Sequence, residues 1–361
     1  MKKALWLFPL LLLLSCRPES ESVQRETIKI MTLNIWSGLD YKGVWKIGRY
    51  ESDDVFEERY QSLLREIETR DPDVIGFNEL NTPKGFLRRL KKDLDYDLIF
   101  HVGVSGLKIG NIGMPVNMRE GDAVLAKRDL NLKFVKRIQL SEKGFARNWG
   151  SLHTGDVTQA LLTTVTVNDE TWYIAVTHLH ASTPCNDYYI SLADQYSGQF
   201  GYTGEEKEKT MQYLRENQEW RNREFEKLDH FLKENVPADA PLIVMGDFNA
   251  HDDWPELTGF IGKGYKDTFR YADKSEGYTW DPESNGNIIN YYLSDLTRPR
   301  PTLLAHLDDE FASKQLRLDY ILTGEEPSVG TVMSSEVCGT EEYNGLQPSD
   351  HFGVITEFAL K

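Results

Sequence analysis

Six places along the chain set polar residues at the edges of short apolar runs, and their types are those of hydrolytic chemistry. They are Asn34 in Met31-Thr-Leu-Asn-Ile-Trp, Glu79 in Val74-Ile-Gly-Phe-Asn-Glu-Leu, and His178 with His180 in Thr177-His-Leu-His. Then come Asp247 and Asn249 in Val244-Met-Gly-Asp-Phe-Asn-Ala, Asp319 in Arg317-Leu-Asp-Tyr, and Asp350-His351 after Ser349. Each run has the length of a buried strand. A carboxylate, amide or imidazole at its end points into a cleft, and packing gives no reason for it. Carboxylate and amide oxygens suit a hard cation such as Mg²⁺, and an imidazole beside a carboxylate moves protons near neutral pH. Three histidines also suggest zinc, but no His-Glu-x-x-His or Cys-x-x-Cys spacing is present, and the oxygen bias favours the harder ion. Together the six places describe one hydrolytic metal site assembled from across the chain.

Within that set, Glu79 precedes a helix start at Asn81-Thr82-Pro83; it is the firmest candidate ligand, and a helix-dipole charge is the plainer alternative. Asp247 and Asn249 are spaced to face the same way, with Gly246 permitting a tight turn. Asp247 can ligate metal or hold water, and the Asn249 amide can donate to a phosphoryl oxygen. His351 is the acid–base candidate, with Asp350 or Asp319 as the partner that fixes its tautomer. His178 can stabilise developing phosphoryl charge, and His180 lies on the same side of the strand.

The elements that must position these groups follow from periodicity. Residues 54–69 carry Phe56, Tyr60, Leu63, Leu64 and Ile67 at helical spacing, stopped by Asp71-Pro72-Asp73. Residues 83–94 read as a second helix, and 204–233 as the longest, roughly 45 Å at 1.5 Å per residue. Strands are expected at 27–35, 74–77, 96–102, 122–126, 132–138, 159–167, 171–177, 242–246, 318–322 and 353–358, with Asn168-Asp169-Glu170 as a hairpin turn. Strands outnumber helices and several connections are short, which argues two stacked sheets with helices on their outer faces. Between His180 and the long helix, Tyr188, Tyr189, Tyr196, Phe200 and Tyr202 form an aromatic, helix-poor insertion suited to a choline headgroup or to a core under a loop.

Residues 1–16 combine Lys2-Lys3, an apolar run and Ser15-Cys16, the pattern of a secretory signal. The end resembles a bacterial lipobox, which implies a lipidated Cys16; residues 17–25 are polar and aperiodic and read as a flexible tether, and 26–361, with no internal repeat or linker, as a single catalytic domain. The expectation is an exported protein anchored to a bacterial membrane, the outer one if the host has it, since Arg17 rather than Asp follows the cysteine. The net charge is −16, and losing Lys2 and Lys3 makes it −18. Such a surface offers few clustered cations to a nucleic-acid backbone, so nucleic acid ranks below a small or phospholipid-type phosphodiester. A monomer is expected. Cys185 and Cys338 have no metal-cluster spacing and could pair as a disulfide.

The ordered motifs resemble those of the endonuclease/exonuclease/phosphatase superfamily: Asn34, Glu79, Gly121-Asp-Ala-Val-Leu-Ala-Lys, His178, Gly246-Asp-Phe-Asn, Arg317-Leu-Asp-Tyr and Ser349-Asp-His. Thr177-His-Leu-His-Ala, Gly277-Tyr-Thr-Trp280 with Asn285, and His153-Thr-Gly-Asp156 look most like the neutral, magnesium-dependent sphingomyelinases. The resemblance implies a four-layer α/β sandwich, two stacked and mostly antiparallel sheets flanked by helices. It also implies Mg²⁺-dependent phosphodiester hydrolysis with Mn²⁺ as a substitute, and sphingomyelin as the substrate. A nuclease, an inositol or other small-molecule phosphatase, and an inactive surface-anchored binding protein are the alternatives. Residue by residue, Glu79, Asn34 and Asp247 hold metal, His351 is the general base, and Asn249 and His178 stabilise the phosphorus. His180, His153, Asn78, Tyr188 and Trp280 stand as substrate or supporting contacts. Two positions depart from the pattern: Asn78 replaces the usual Gln or Glu, and Gln159 stands where a Lys is common.

Overall fold

Short apolar runs and polar breaks give the chain sixteen strands and eight α-helices among the described residues. The computed structural model describes residues 24–39, 48–81, 83–110, 112–142, 144–290, 302–324 and 329–360. The chain begins with β1 (Thr27–Asn34), α1 (Asp53–Arg70), β2 (Val74–Asn78), α2 (Pro83–Asp93) and β3 (Tyr96–Val102). Short strands β4 (Leu107–Ile109) and β5 (Ile112–Met114) precede β6 (Gly121–Lys127), β7 (Lys133–Gln139), β8 (Phe145–Arg147) and β9 (Gly150–Leu152). The hairpin of β10 (Gln159–Val167) and β11 (Glu170–His178) leads to α3 (Asp187–Phe200) and α4 (Gly204–Asn235). Strand β12 (Leu242–Asp247) is followed by α5 (Pro255–Ile261), β13 (Lys266–Asp267), α6 (Thr268–Ala272), α7 (Gly286–Ile288) and α8 (Leu303–Ala312). Last come β14 (Asp319–Thr323), β15 (Thr331–Cys338) and β16 (Gly353–Ala359).

Local chemistry sets the element ends. Ser52 caps α1 by accepting from the Val55 N–H, and Asp71 ends it in the left-handed region at φ 49°. Asn168 and Asp169, at φ 47° and 67°, make the tight turn between β10 and β11, the geometry that matches strand twist. The aromatic segment expected to be helix-poor forms α3 instead, started by Asn186, whose side chain accepts from the Tyr189 N–H. Cys185 and Cys338 are free thiols.

Two six-stranded sheets stack, in the orders β15-β16-β1-β2-β6-β3 and β13-β14-β12-β11-β10-β7. Pairs β1–β2 and β11–β12 are parallel, and the other pairings within both sheets are antiparallel. Ile30, Val74, Val354 and Phe358 of the first sheet meet Leu161, Val176, Ile243 and Ile321 of the second in the central core. The outer face of the first sheet packs on Tyr60, Leu63 and Ile67 of α1 and Leu87 and Leu90 of α2. That of the second packs on Phe225, Leu228 and Leu232 of α4 and Leu257 and Phe260 of α5. The layered α/β sandwich is the expected architecture, with a third, four-stranded sheet (β5-β4-β9-β8) added.

Among the described residues, no helix is long and apolar enough to cross a membrane. The expected lipoprotein signal peptide, membrane partner and exported, lipid-anchored location gain no spanning helix from these residues, and they are not carried further. Cys16 and its segment lie outside the described residues.

Candidate active site

Strand register brings the polar ends together. In the first sheet Asn34 pairs with Asn78, and in the second Asp247 pairs with both His178 and Asp319. The two sheets are then tied across the sandwich at this end. Asn34 Nδ2 donates to Glu79 Oε1 at 3.0 Å and to Asp247 Oδ2 at 3.1 Å. Asn78 accepts from the Asp247 N–H at 3.0 Å and donates to the Thr177 carbonyl at 3.1 Å. Gly246 makes the approach feasible: at φ 134°, an added Cβ would stand 2.0 Å from the Thr177 carbonyl oxygen.

His351 sits between two carboxylates. Its Nδ1 is 2.9 Å from Asp319 Oδ2, and its Nε2 is 3.8 Å from Asp247 Oδ2. Burial alone would lower the His351 pKa, but Asp319 and then Asp247 outweigh it and hold the imidazole well above its ordinary value. The partner at Nδ1 is therefore Asp319; Asp350 accepts from Ser349 Oγ at 3.2 Å. His178 Nε2 lies 3.9 Å from Glu79 and 3.8 Å from Asp247. Burial again opposes its charge, and Asp247, Glu79 and Asp122 together raise its pKa. Asn249 spends one amide hydrogen on the Leu179 carbonyl at 2.9 Å, and its N–H donates to Asp247 Oδ1 at 2.8 Å.

These groups open on a cleft of about 340 Å³. Glu79, His178, His180, Asp247, Asn249, Trp280, Asp350 and His351 line it, with Asp122, Asp156 and Gln159 among the others. The Trp280 ring meets His351 edge to face at 5.2 Å. Two expected contacts lie elsewhere. His153 Nε2 accepts from the Ser105 and Gly106 N–H groups at 2.8 and 2.7 Å, so it clamps a turn. Tyr188 is 47% exposed on α3, bonded to Glu310 and not part of the lining.

The departures have local explanations. Asn78 Nδ2 donates to Asp122 Oδ1 at 2.7 Å, and Gln159 Nε2 to Asp122 Oδ2 at 2.6 Å. Burial raises the Asp122 pKa against the pull of His178 and these amides. Arg137 Nε donates to Gln159 Oε1 at 2.5 Å, which puts a guanidinium one residue behind the position where a Lys is common. Asp122 carried no sequence signal beyond its Gly-Asp motif.

The donor set fits a divalent cation. Ligand atoms of Asp247, Asp319 and His351 lie within 4.8 Å of one another, and buried Asp319 Oδ1 has no hydrogen-bond partner among the described residues. Glu79 adds a second carboxylate beside Asp247 through the shared Asn34 amide. Oxygen-rich sites of this kind are those of hard metals.

A layered sandwich with an Asp, Asp and His cluster where its strand ends meet defines a metal-dependent phosphoesterase. Residues 31–351 match the Endonuclease/Exonuclease/phosphatase family, and the chain belongs to it. By sequence, no curated protein matches. Among solved structures, zebrafish (D. rerio) TDP2 complexed with single strand DNA product is similar at 18% identity and TM-score 0.56, over 93% of this chain and 100% of that one. The mannosyl-6-phosphatase of Bacteroides thetaiotaomicron is similar at 17% identity and TM-score 0.56, over 92% and 100%. The human Nocturnin catalytic domain with bound sulfate follows at 18% and 0.53, over 93% and 96%. These likenesses establish the fold. The ranking of nucleic acid below other substrates is corrected: a protein of the same fold, zebrafish TDP2, is described complexed with single strand DNA product.

Proposed function

We propose that the protein is a phosphodiesterase that uses Mg²⁺, with Mn²⁺ as a substitute, and that its substrate is of the nuclease type, a single strand or strand end. The observation that carries the reaction class is the convergence of Asn34, Glu79, His178, Asp247, Asn249, Asp319 and His351 on one cleft from both sheets. The similarity to zebrafish TDP2 with its DNA product supports the substrate class, and the cleft volume of about 340 Å³ suits one end of a strand rather than a duplex. A phospholipid-type diester such as sphingomyelin is the second reading, favoured by the apolar wall of Val104, Met118, Leu179, Trp280 and Phe311.

Glu79 and Asp247 are the residues that would hold the cation, with Asn34 spacing them; Asp319 and His351 cluster with Asp247 but are bonded to each other. When bound, the cation polarises the phosphoryl oxygen as a Lewis acid. His351, fixed by Asp319, handles the proton of the attacking water. Two facing carboxylates favour its protonated form, so service as a base requires the Asp247 charge to be engaged elsewhere, which is the arrangement assigned to Asp247 here. His178 and the second amide hydrogen of Asn249 would neutralise charge growing on the phosphoryl oxygens.

The test is hydrolysis by the full-length protein with Mg²⁺ of a single-stranded oligonucleotide, duplex DNA, sphingomyelin in mixed micelles and mannose 6-phosphate. Preference for the oligonucleotide is expected. Preference for sphingomyelin moves the assignment to the second reading, and turnover of the sugar phosphate alone contradicts both.

A further inference from the structure

The cleft has a second polar wall that the chemistry above does not use. His180 is fixed on four sides. Its N–H donates to Glu224 Oε2 at 2.9 Å, and its ring stacks on Trp220 with centroids 3.8 Å apart and planes 11° apart. Nε2 faces Asn217 Oδ1 at 2.7 Å, and Nδ1 faces Asp156 Oδ2 at 3.1 Å. Asn217 is held in that orientation because its Nδ2 donates to the Tyr213 carbonyl at 2.8 Å. Both ring nitrogens thus end on oxygen, and turning the ring toward a phosphate would break two hydrogen bonds and a stack. What this assembly presents to the cleft is the Asp156 carboxylate, whose side chain is 54% exposed.

Burial would raise the Asp156 pKa, but His180, then His178 and His153, outweigh it and hold it below the ordinary carboxylate range. An ionised carboxylate therefore stands within the influence of His178, on the lining of the same cleft. Among the described residues the lining holds six carboxylates and three histidines and neither Lys nor Arg. Glu79 and Asp247 are assigned to the cation, and Asp122 is enclosed by Asn78 and Gln159. A carboxylate beside a scissile phosphate repels substrate unless the substrate offers it a donor.

We infer that Asp156, positioned by His180, is a specificity-determining residue that accepts a hydrogen bond from an O–H or N–H group carried by the substrate next to its scissile phosphate. The inference rests on the phosphodiesterase reading above. His180 acts through Asp156 and is a positioning residue.

Three synthetic diesters test it with the full-length protein and Mg²⁺: bis(p-nitrophenyl) phosphate, which has no donor, and the p-nitrophenyl esters of glycerol phosphate and ethanolamine phosphate. For Asp156→Ala, the kcat/KM ratio of a donor-bearing ester to the donor-free one should fall by about tenfold or more. The ester whose ratio falls identifies the donor as hydroxyl or amine, and Asp156→Asn should restore the hydroxyl ester more than the amine. His180→Gln should lower the same ratio. Ratios within twofold of wild type for both esters overturn the inference. If no diester is turned over, the phosphodiesterase reading fails by itself. Calorimetric titration with glycerol phosphate, ethanolamine phosphate and methyl phosphate then decides the role of Asp156. Wild type should bind a donor-bearing compound about tenfold tighter than methyl phosphate and Asp156→Ala should not; equal binding by wild type overturns the inference.

Discussion

Trp36, Glu79 and Asn249 hold their backbones at φ 53°, 56° and 46°. A non-glycine residue in this left-handed region costs on the order of 1 kcal/mol or more and persists only where its surroundings fix it. Here the fixing contacts are those of the site: Asn34 Oδ1 accepts from Trp36 N–H at 3.0 Å, and Asp247 Oδ1 from Asn249 N–H at 2.8 Å. The residues of the site were legible in the sequence because a polar side chain ending an apolar strand has no packing role. Asp319 was legible because it lies between apolar Leu318 and Tyr320 at the start of β14, but the choice between it and Asp350 as the partner of His351 needed the pairing of β14 with β12. Asn217 and Glu224 left no signal, since polar residues on a helix ordinarily face water. A prediction belongs at this scale. In Asp319→Asn the negative charge at Nδ1 is gone while the shape remains, so the His351 pKa falls. Activity should drop at least about a hundredfold, and the acidic limb of the pH–rate profile should move to lower pH. An unmoved limb in that profile would remove Asp319 from the proton-handling pair.

Helix α4 does more than cover a sheet. Its apolar stripe packs Phe225, Leu228 and Leu232 on the second sheet, as the helical spacing implied. Its buried Arg221 pairs with Glu256 at 2.9 Å, with side chains 0% and 1% exposed, and donates to the Ser182 carbonyl at 3.0 Å and to the Ser182 hydroxyl. The loop that carries the chain from His180 to α3 is thereby locked to α4 and α5. Arg221→Ala leaves the Glu256 carboxylate buried without its partner, which should cost about 3–5 kcal/mol of stability, read as the shift in a urea unfolding midpoint at unchanged slope. A change below about 1 kcal/mol would mean that Glu256 is not left as an uncompensated buried charge. The small third sheet was illegible for a physical reason. Leu107, Ile109, Ile112 and Met114 are exposed while Lys108 is buried and donates to the Met118 carbonyl, so its alternation runs opposite to the usual inward apolar face.

Across the whole molecule, the two sheets share one apolar core and are joined at one end by hydrogen bonds between residues far apart in sequence, Asn34 to Asp247 and Asn78 to Asp247. The stacked arrangement was legible from the excess of strands and the short connections. The pairing order was not, because β1 and β16 come from opposite ends of the chain. The site is therefore a product of the folded sandwich rather than of any one segment, and its acidic groups stand ready to be neutralised by a cation. The most direct measurement is the rate of bis(p-nitrophenyl) phosphate hydrolysis by full-length protein as Mg²⁺ is titrated in after EDTA treatment, alongside Glu79→Gln and Asp247→Asn. The account predicts a rate that rises from background with Mg²⁺ and saturates, and at least about a hundredfold loss in each variant. A wild-type rate that is the same in excess EDTA as in Mg²⁺ would contradict it.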